Sequence, residues 1–400
     1  MILYDVTVTL NAGLNTGIQR VVKSIAQADN DQFFTLVYGN QRGPLKIYGV
    51  GHDDLLSPPS DRTLANLPLN LTRTFFQRYR GFLNCFIHYI PGASYLRDFA
   101  LLSLSPNAKL IKALPDGASI AYGPGDIYIT FDAFWNSKRD TERIQSLHNS
   151  GVKIIIFLHD VIPLKHPELF ERASVEKFKK NFSLGVEVAS GVLFSSRAVA
   201  SDFAEFFKEV PSYTIIPLGS VFSTNTLPVS TIGEPLNIIM LGTIEPRKNY
   251  LEILDWYSEA KIDNPLVIVG RLGWNSKEIV RKIVLMQRQG LKVSWLANVN
   301  DDELNSLISK SKIGICASLD EGFGLPLREF LSSGLLVVAS DIPAFREVSS
   351  KNVSYFELSN LDSLDRAVRK SLNTTFSPEA HPTRAWSEVF VEVKNFINSL

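Results

Sequence analysis

Cysteine is almost missing from this sequence. Cys85 and Cys316 are the two it has among 400 residues; they rule out a disulfide framework and suit a reducing cytoplasm. An excess of one charge is missing as well. Forty-one basic residues face 41 acidic ones, so there is no net positive field to drive general nucleic-acid binding. No apolar run reaches the length of a membrane span, and no transmembrane helix is expected. The opening Met1-Ile2-Leu3-Tyr4-Asp5 has neither the basic nor the apolar stretch of a signal peptide. Several signatures of chemistry are also lacking. There is no Gly-x-Ser-x-Gly, no Walker A loop and no Cys/His spacing of a zinc site. Asp29-Asn30-Asp31 is a D-x-D triplet, but it closes a predicted helix and reads as a solvated turn. No metal is expected.

What the sequence does have is alternation. Short apolar, β-rich runs take turns with helical periodicity, which predicts an α/β fold with parallel sheets. The length is too great for one ordinary core, so two domains are expected. In the first half the predicted strands are Ile2–Val8, Phe33–Val37, Asp126–Phe131, Lys153–Leu158, Gly191–Ser195 and Ser212–Ile216. Helices are predicted between them at Gly17–Ala28, Arg139–Asn149, Leu169–Ala189 and Arg197–Phe207. Pro217–Pro235 is rich in Pro, Ser, Thr and Gly without periodicity and reads as a linker. A second α/β series follows, from strand Asn237–Leu241 to helix Leu361–Leu372. The tail, Pro382–Leu400, places Trp386, Val389, Phe390, Val393 and Ile397 on one helical face. The expected domains are 1–219, 220–381 and a terminal helix, 382–400, that packs back on the first domain.

The densest signal is Glu321-Gly322-Phe323-Gly324-Leu325-Pro326-Leu327-Arg328-Glu329. It sits between a predicted strand, Ile313–Ala317, and another, Leu335–Ala339, in a β-loop-α-β unit. Ligands of open α/β sheets bind at such strand ends. Glycines there let backbone N–H groups come close to a ligand, and a helix N-terminus favours anions. Two carboxylates beside an anion site suit a ligand with both phosphates and hydroxyls, such as a sugar nucleotide. Leu241-Gly242-Thr243-Ile244-Glu245-Pro246-Arg247-Lys248-Asn249 adds adjacent cations at a helix start, suited to a diphosphate. His159-Asp160 follows the strand Lys153–Leu158, where α/β enzymes place site residues. Gly13-Leu14-Asn15-Thr16-Gly17 follows the first strand; Thr16 is a candidate N-cap and Gly17 permits close approach of a ligand. The spacing is not the dinucleotide fingerprint, which tells against a hydride-transfer enzyme.

One stretch departs from the α/β pattern. Between Asp61 and Asp98 no acidic residue occurs, while Arg62, Arg73, Arg78, Arg80 and Arg97 alternate with Phe and Tyr. Two readings stand: an amphipathic segment on an anionic membrane surface, or a packed helix with a solvated arginine face.

Taken together, Thr16 to Val21, His159-Asp160 with Pro163, Pro217-Leu218-Gly219, Glu245 to Asn249, Val267 to Gly270 and Glu321 to Glu329 resemble the retaining GT4 glycosyltransferases of the GT-B fold. The His-Asp segment with its later His166-Pro167 looks most like bacterial enzymes of O-antigen, capsule and exopolysaccharide synthesis, many of them mannosyltransferases. The resemblance implies two Rossmann-like domains facing a cleft, a nucleotide-sugar donor and no metal cofactor. By that match Glu321 would bind donor-sugar hydroxyls, and the amides of Gly322, Phe323, Gly324 and Leu325 would contact sugar and phosphate. Glu329 would bind the ribose, Arg247 and Lys248 would neutralise the diphosphate, and Gly17 would approach it from the first domain. His159 would sit near sugar and acceptor, with Asp160 on the acceptor side. Thr243 departs from the Arg that many relatives carry after this glycine. The implied reaction moves a hexose, with GDP-mannose the first choice of donor, to a hydroxyl of a glycan or lipid-linked oligosaccharide, with retention. The expected setting is the cytoplasm, on the inner face of the cell membrane if residues 61–98 lie on an anionic surface. The alternatives are a catalytically silent GT-B partner or regulatory protein, and a sugar-nucleotide epimerase.

Overall fold

The structure is a computed structural model and describes residues 1–12, 17–39, 45–51, 55, 119–209, 211–220, 236–348, 350–374 and 384–400. The basic aromatic stretch 61–98, Thr16 and most of the predicted linker lie outside the described residues. By its internal contacts the chain divides into Met1–Ile155 and Ile156–Leu400.

In the first unit β1 (Ile2–Asp5) lies between β2 (Thr35–Gly39) and β4 (Ile127–Thr130), parallel to both. β3 (Ile47–Gly49) closes that edge antiparallel to β2. The first predicted strand is too long. Thr7 and Val8 already belong to helix α1 (Thr7–Ala12), although both are β-branched. Asp5 explains the turn, because its carboxylate accepts both the amide and the hydroxyl of Thr7 and so starts a helix. α2 (Gly17–Ala28) and α3 (Lys138–Asn149) follow the prediction to within one residue. Asp29 is not solvated as expected. It is 4% exposed, and its carboxylate oxygens accept the amides of Phe33 and Phe34, each at 2.8 Å.

β5 (Lys153–Leu158) contains the division between the units and carries an unbroken apolar run, Ile154 to Leu158, buried throughout. Such runs mark strands covered on both faces. Beyond it come α4 (Ile162–Lys165), α5 (Arg172–Glu187), β6 (Gly191–Phe194), α6 (Arg197–Phe206) and β7 (Ser212–Ile215). The strand order is β3-β2-β1-β4-β5-β6-β7.

The second sheet runs in the order β10-β9-β8-β11-β12-β13. Its strands are β8 (Asn237–Leu241), β9 (Leu266–Val269), β10 (Val293–Leu296), β11 (Ser311–Cys316), β12 (Leu336–Ser340) and β13 (Val353–Phe356), and every pair is parallel. Alternate residues feed two separate cores. Ile238, Ile268 and Val338 pack on one face; Ile239, Val267 and Val337 pack on the other. Helices α7 (Tyr250–Glu259), α8 (Lys277–Arg288), α9 (Asp301–Ser309), α10 (Leu325–Ser332), α11 (Pro343–Arg346) and α12 (Leu361–Asn373) complete this part. The last helix, α13 (Trp386–Ser399), has its Phe396 ring 2.9 Å from where a Cβ on Gly191 of β6 would stand. Arg384, just before it, donates to the Pro217 carbonyl at 2.7 Å.

Candidate active site

The second sheet changes direction at one point. From β8 the chain builds outward to β9 and β10, then returns to place β11 on the other side of β8. Crevices form outside the carboxyl ends of strands at such a switch point. The loops that leave β8 and β11 hold the two motifs singled out above, one on each side.

Gly242 opens the first loop at φ 147°, a conformation that side chains rarely adopt. A Cβ there would stand 3.2 Å from Lys248 Cε, so the bare glycine leaves a path for the lysine stem. Pro246–Lys248 forms a 3-10 turn. The Tyr250 hydroxyl donates to the Gly242 carbonyl at 2.8 Å, which ties the loop's two ends together. Thr243, where the resemblance leads one to expect arginine, packs its methyl against Gly273, 2.7 Å from where a Cβ would stand. The second loop bonds to the first, with the Leu319 amide donating to the Arg247 carbonyl at 2.8 Å. It ends at Gly324, which takes φ 73° as the N-cap of α10.

Glu321 is the centre of the arrangement and is only 8% exposed. One carboxylate oxygen accepts from Lys248 Nζ and from Ser318 Oγ, the latter at 2.7 Å. The other meets Arg247 Nη1 at 2.9 Å. Burial alone would raise its pKa, but the two cations outweigh burial and hold the carboxyl at about 2. Glu321 is therefore an ionised acceptor at neutral pH, and neither a proton donor nor an effective base.

The two cations are placed differently. Lys248 and Glu321 line a small recess, together with Tyr250, Cys316, Ser318 and Phe345. Arg247 is not in that lining. It spans Glu245, at 2.9 Å from Nε, and Glu321, and also donates to the Asp320 carbonyl at 3.1 Å. Burial works against the charge on Arg247, yet the carboxylates of Glu321 and Glu245 raise its pKa. Burial pushes the Cys316 thiol up, and it stays protonated.

His159 and Asp160 reach this loop through their backbone and their charge. A Cβ on Gly322 would stand 1.8 Å from the His159 carbonyl oxygen, so only glycine allows the two segments to touch. The His159 ring lies against Phe157, with centroids 4.9 Å apart. Asp160 accepts the Ile162 amide at 3.1 Å. Burial raises its pKa to about 6, with Arg247 opposing. Phe323 is buried, and the Arg328 guanidinium stacks on its ring at 4.0 Å. Leu325 is the first residue of α10, and Glu329 is buried on that helix. Gly17 belongs to the first unit, where it opens α2 and is exposed.

Direct bonds thus join Arg247, Lys248 and Glu321. Sequence reasoning missed Ser318, Glu245, Asp320 and Ser196; Ser196 Oγ donates to the Gly322 carbonyl at 2.5 Å. Of these only Glu245 stood inside a quoted motif, without a role of its own; Ser318, Asp320 and Ser196 carried no local signal. Among the described residues no group of His, Cys, Asp and Glu is placed to hold a metal ion, and no helix is long and apolar enough to cross a membrane.

The two Rossmann-like sheets are those of GT-B glycosyltransferases. The crystal structure of Anabaena Alr3699/HepE in complex with UDP and glucose matches with a TM-score of 0.64 at 15% identity, covering 100% of this chain and 99% of that one. Residues 226–384 match the family Glycosyl transferases group 1. Two relatives agree with it. The serotype-specific mannosyltransferase WbdA of Escherichia coli is 30% identical over 270 residues, 60% of this chain and 32% of WbdA. The O-antigen chain mannosyltransferase B of Escherichia coli is 25% identical over 236 residues, 55% of this chain and 61% of that protein. The match therefore takes in about a third of the length of WbdA.

Proposed function

We propose that this protein is a retaining glycosyltransferase that moves a hexose from a nucleoside-diphosphate sugar to a hydroxyl of a glycan or lipid-linked acceptor in polysaccharide synthesis. The observation that carries this reading is the Lys248–Glu321 pair lining a recess at the β8/β11 switch point. Mannose is the first sugar to test, with GDP-mannose as donor, because both relatives above are named mannosyltransferases.

The chemistry follows from charge. Cleaving the glycosyl–phosphate bond builds negative charge on the diphosphate and oxocarbenium character on the sugar. Lys248 is the cation that stabilises the leaving diphosphate, because it faces the recess while Arg247 is spanned between two carboxylates. The N-terminal amides of α10 add to the same field. Glu321, held ionised, accepts hydrogen bonds from sugar hydroxyls. Glu329 takes the ribose, Gly17 approaches the diphosphate, and His159 and Asp160 serve the sugar and acceptor side. Retention then proceeds by front-face attack, the leaving phosphate taking the acceptor proton, and no metal is required.

The test is a thermal-shift screen of GDP, UDP and dTDP, followed by turnover of the corresponding sugar nucleotide. Lys248→Ala is expected to lower kcat by about 10²–10³, the usual cost of one lost charge-stabilising donor. Glu321→Ala is expected to abolish transfer with the fold retained by circular dichroism. Near-normal turnover in either variant would overturn the assignment.

A further inference from the structure

Asp320 stands next to Glu321 and is 4% exposed, yet nothing above gives it a role. Its Oδ1 accepts the backbone N–H of Glu321 itself at 2.8 Å. Its Oδ2 meets Lys165 Nζ at 3.0 Å and His166 Nε2 at 3.1 Å. Its carbonyl takes the Arg247 guanidinium. Lys165 is held in turn by Asp202 at 2.9 Å, and His166 Nδ1 lies 3.2 Å from Glu168. Both carboxylate oxygens and the carbonyl of Asp320 are therefore engaged, and two of its partners come from the end of α4, more than 150 positions away in sequence. A lone exposed ion pair adds little. Here, however, one buried carboxylate joins Lys165 and the His166 ring to the amide that orients Glu321.

We infer that Lys165 and His166 are positioning residues that act through Asp320 to hold the Glu321 carboxylate in its sugar-binding orientation, and so set the affinity for the sugar part of the donor. The inference rests on the proposal that Glu321 grips sugar hydroxyls. It follows that weakening the clamp affects the sugar nucleotide and spares the free nucleotide, whose diphosphate and ribose contacts lie elsewhere.

The experiment measures calorimetric affinities for three pairs: GDP and GDP-mannose, UDP and UDP-glucose, dTDP and dTDP-glucose. Wild type is compared with Lys165→Met, Lys165→Arg and Asp320→Asn on whichever pair wild type binds. Lys165→Met and Asp320→Asn are expected to weaken the sugar nucleotide about tenfold, the scale of one charge-assisted hydrogen bond. The free nucleotide should stay within about twofold, and Lys165→Arg, which keeps the charge, should restore the sugar nucleotide. An equal loss for both ligands, or no loss for either, overturns the clamp as a positioning device while leaving the transferase proposal in place. If wild type binds none of the six ligands, the transferase reading itself fails and the clamp falls with it. Lys165 is partly exposed, so its variants test the inference even if Asp320→Asn folds poorly.

Discussion

At the residue scale the tightest constraint is Gly322. Its neighbours in the motif are named by their chemistry, but this glycine is required by contact: a methyl group would stand 1.8 Å from the His159 carbonyl oxygen and 3.1 Å from Asp160 Cβ. Both obstacles are close to the main chain, so they cannot swing aside. Gly322→Ala is expected to destabilise the protein by about 1–3 kcal/mol, the cost of forcing extra volume into a packed site. Gly123→Ala, where a Cβ meets nothing within 4 Å, serves as the control in urea unfolding. Equal midpoints for the two variants would show that the approach of Gly322 to His159 is relieved at no cost. The nonapeptide, the cations and the His-Asp pair were all legible as candidates, because turn chemistry and charge are local properties. The clamp on Asp320 was not. Lys165 and His166 are distant in sequence, and nothing about an aspartate before a glutamate signals which side chains reach it.

At the scale of elements, strands were easier to read than their ends. The apolar runs of β5, β9 and β12 identify themselves, whereas β1 stops early because a side chain, Asp5, captures the next amide and hydroxyl. The short helices α4 and α11 were not predicted, since four-residue helices carry no measurable periodicity. α11 matters because the residue after it, Glu347, reaches the start of α6. Its carboxylate accepts the amides of Ala198, at 2.5 Å, and Arg197, at 3.2 Å, while Ser196 Oγ accepts that of Val199 at 3.1 Å. These amides have no partner within their own helix, and an anion there also meets the favourable end of the helix dipole. Glu347→Gln keeps an acceptor but loses the charge. It is expected to lower stability by about 0.5–1 kcal/mol at low salt, less at high salt. Urea midpoints at two ionic strengths check this, and a loss that does not shrink with salt would point to packing instead. Ser196 at this helix start also bonds Gly322, so the cap lies one residue from the candidate site.

At the scale of the whole molecule, each unit contains a buried carboxylate driven in the opposite direction from the other. In the second, Glu321 is held at about 2 because Arg247 and Lys248 outweigh its burial. In the first, Asp132 is raised to about 7, first by burial and then by the nearby Asp5. Its carboxylate accepts the amide of Thr9 at 2.6 Å and that of Ala133 at 3.2 Å, which is not enough to offset those two effects. The linkage signs are opposite. Glu321 contributes stability that is present above its ordinary carboxylate range and lost as pH falls toward 2, because there the unfolded chain binds the proton first. Asp132 binds its proton more tightly when folded, so its contribution is lost as pH rises from its ordinary range through about 7. Together they place the stability optimum set by these two groups on the acidic side of neutral. Asp132→Asn keeps one acceptor for the Thr9 and Ala133 amides, so it should cost a pH-independent offset and flatten the decline between about pH 4 and 7. Glu321→Gln should leave that decline intact and flatten the acid limb instead. Urea midpoints across the range decide the matter: parallel curves for wild type and Asp132→Asn would mean that Asp132 ionises in the folded protein without cost.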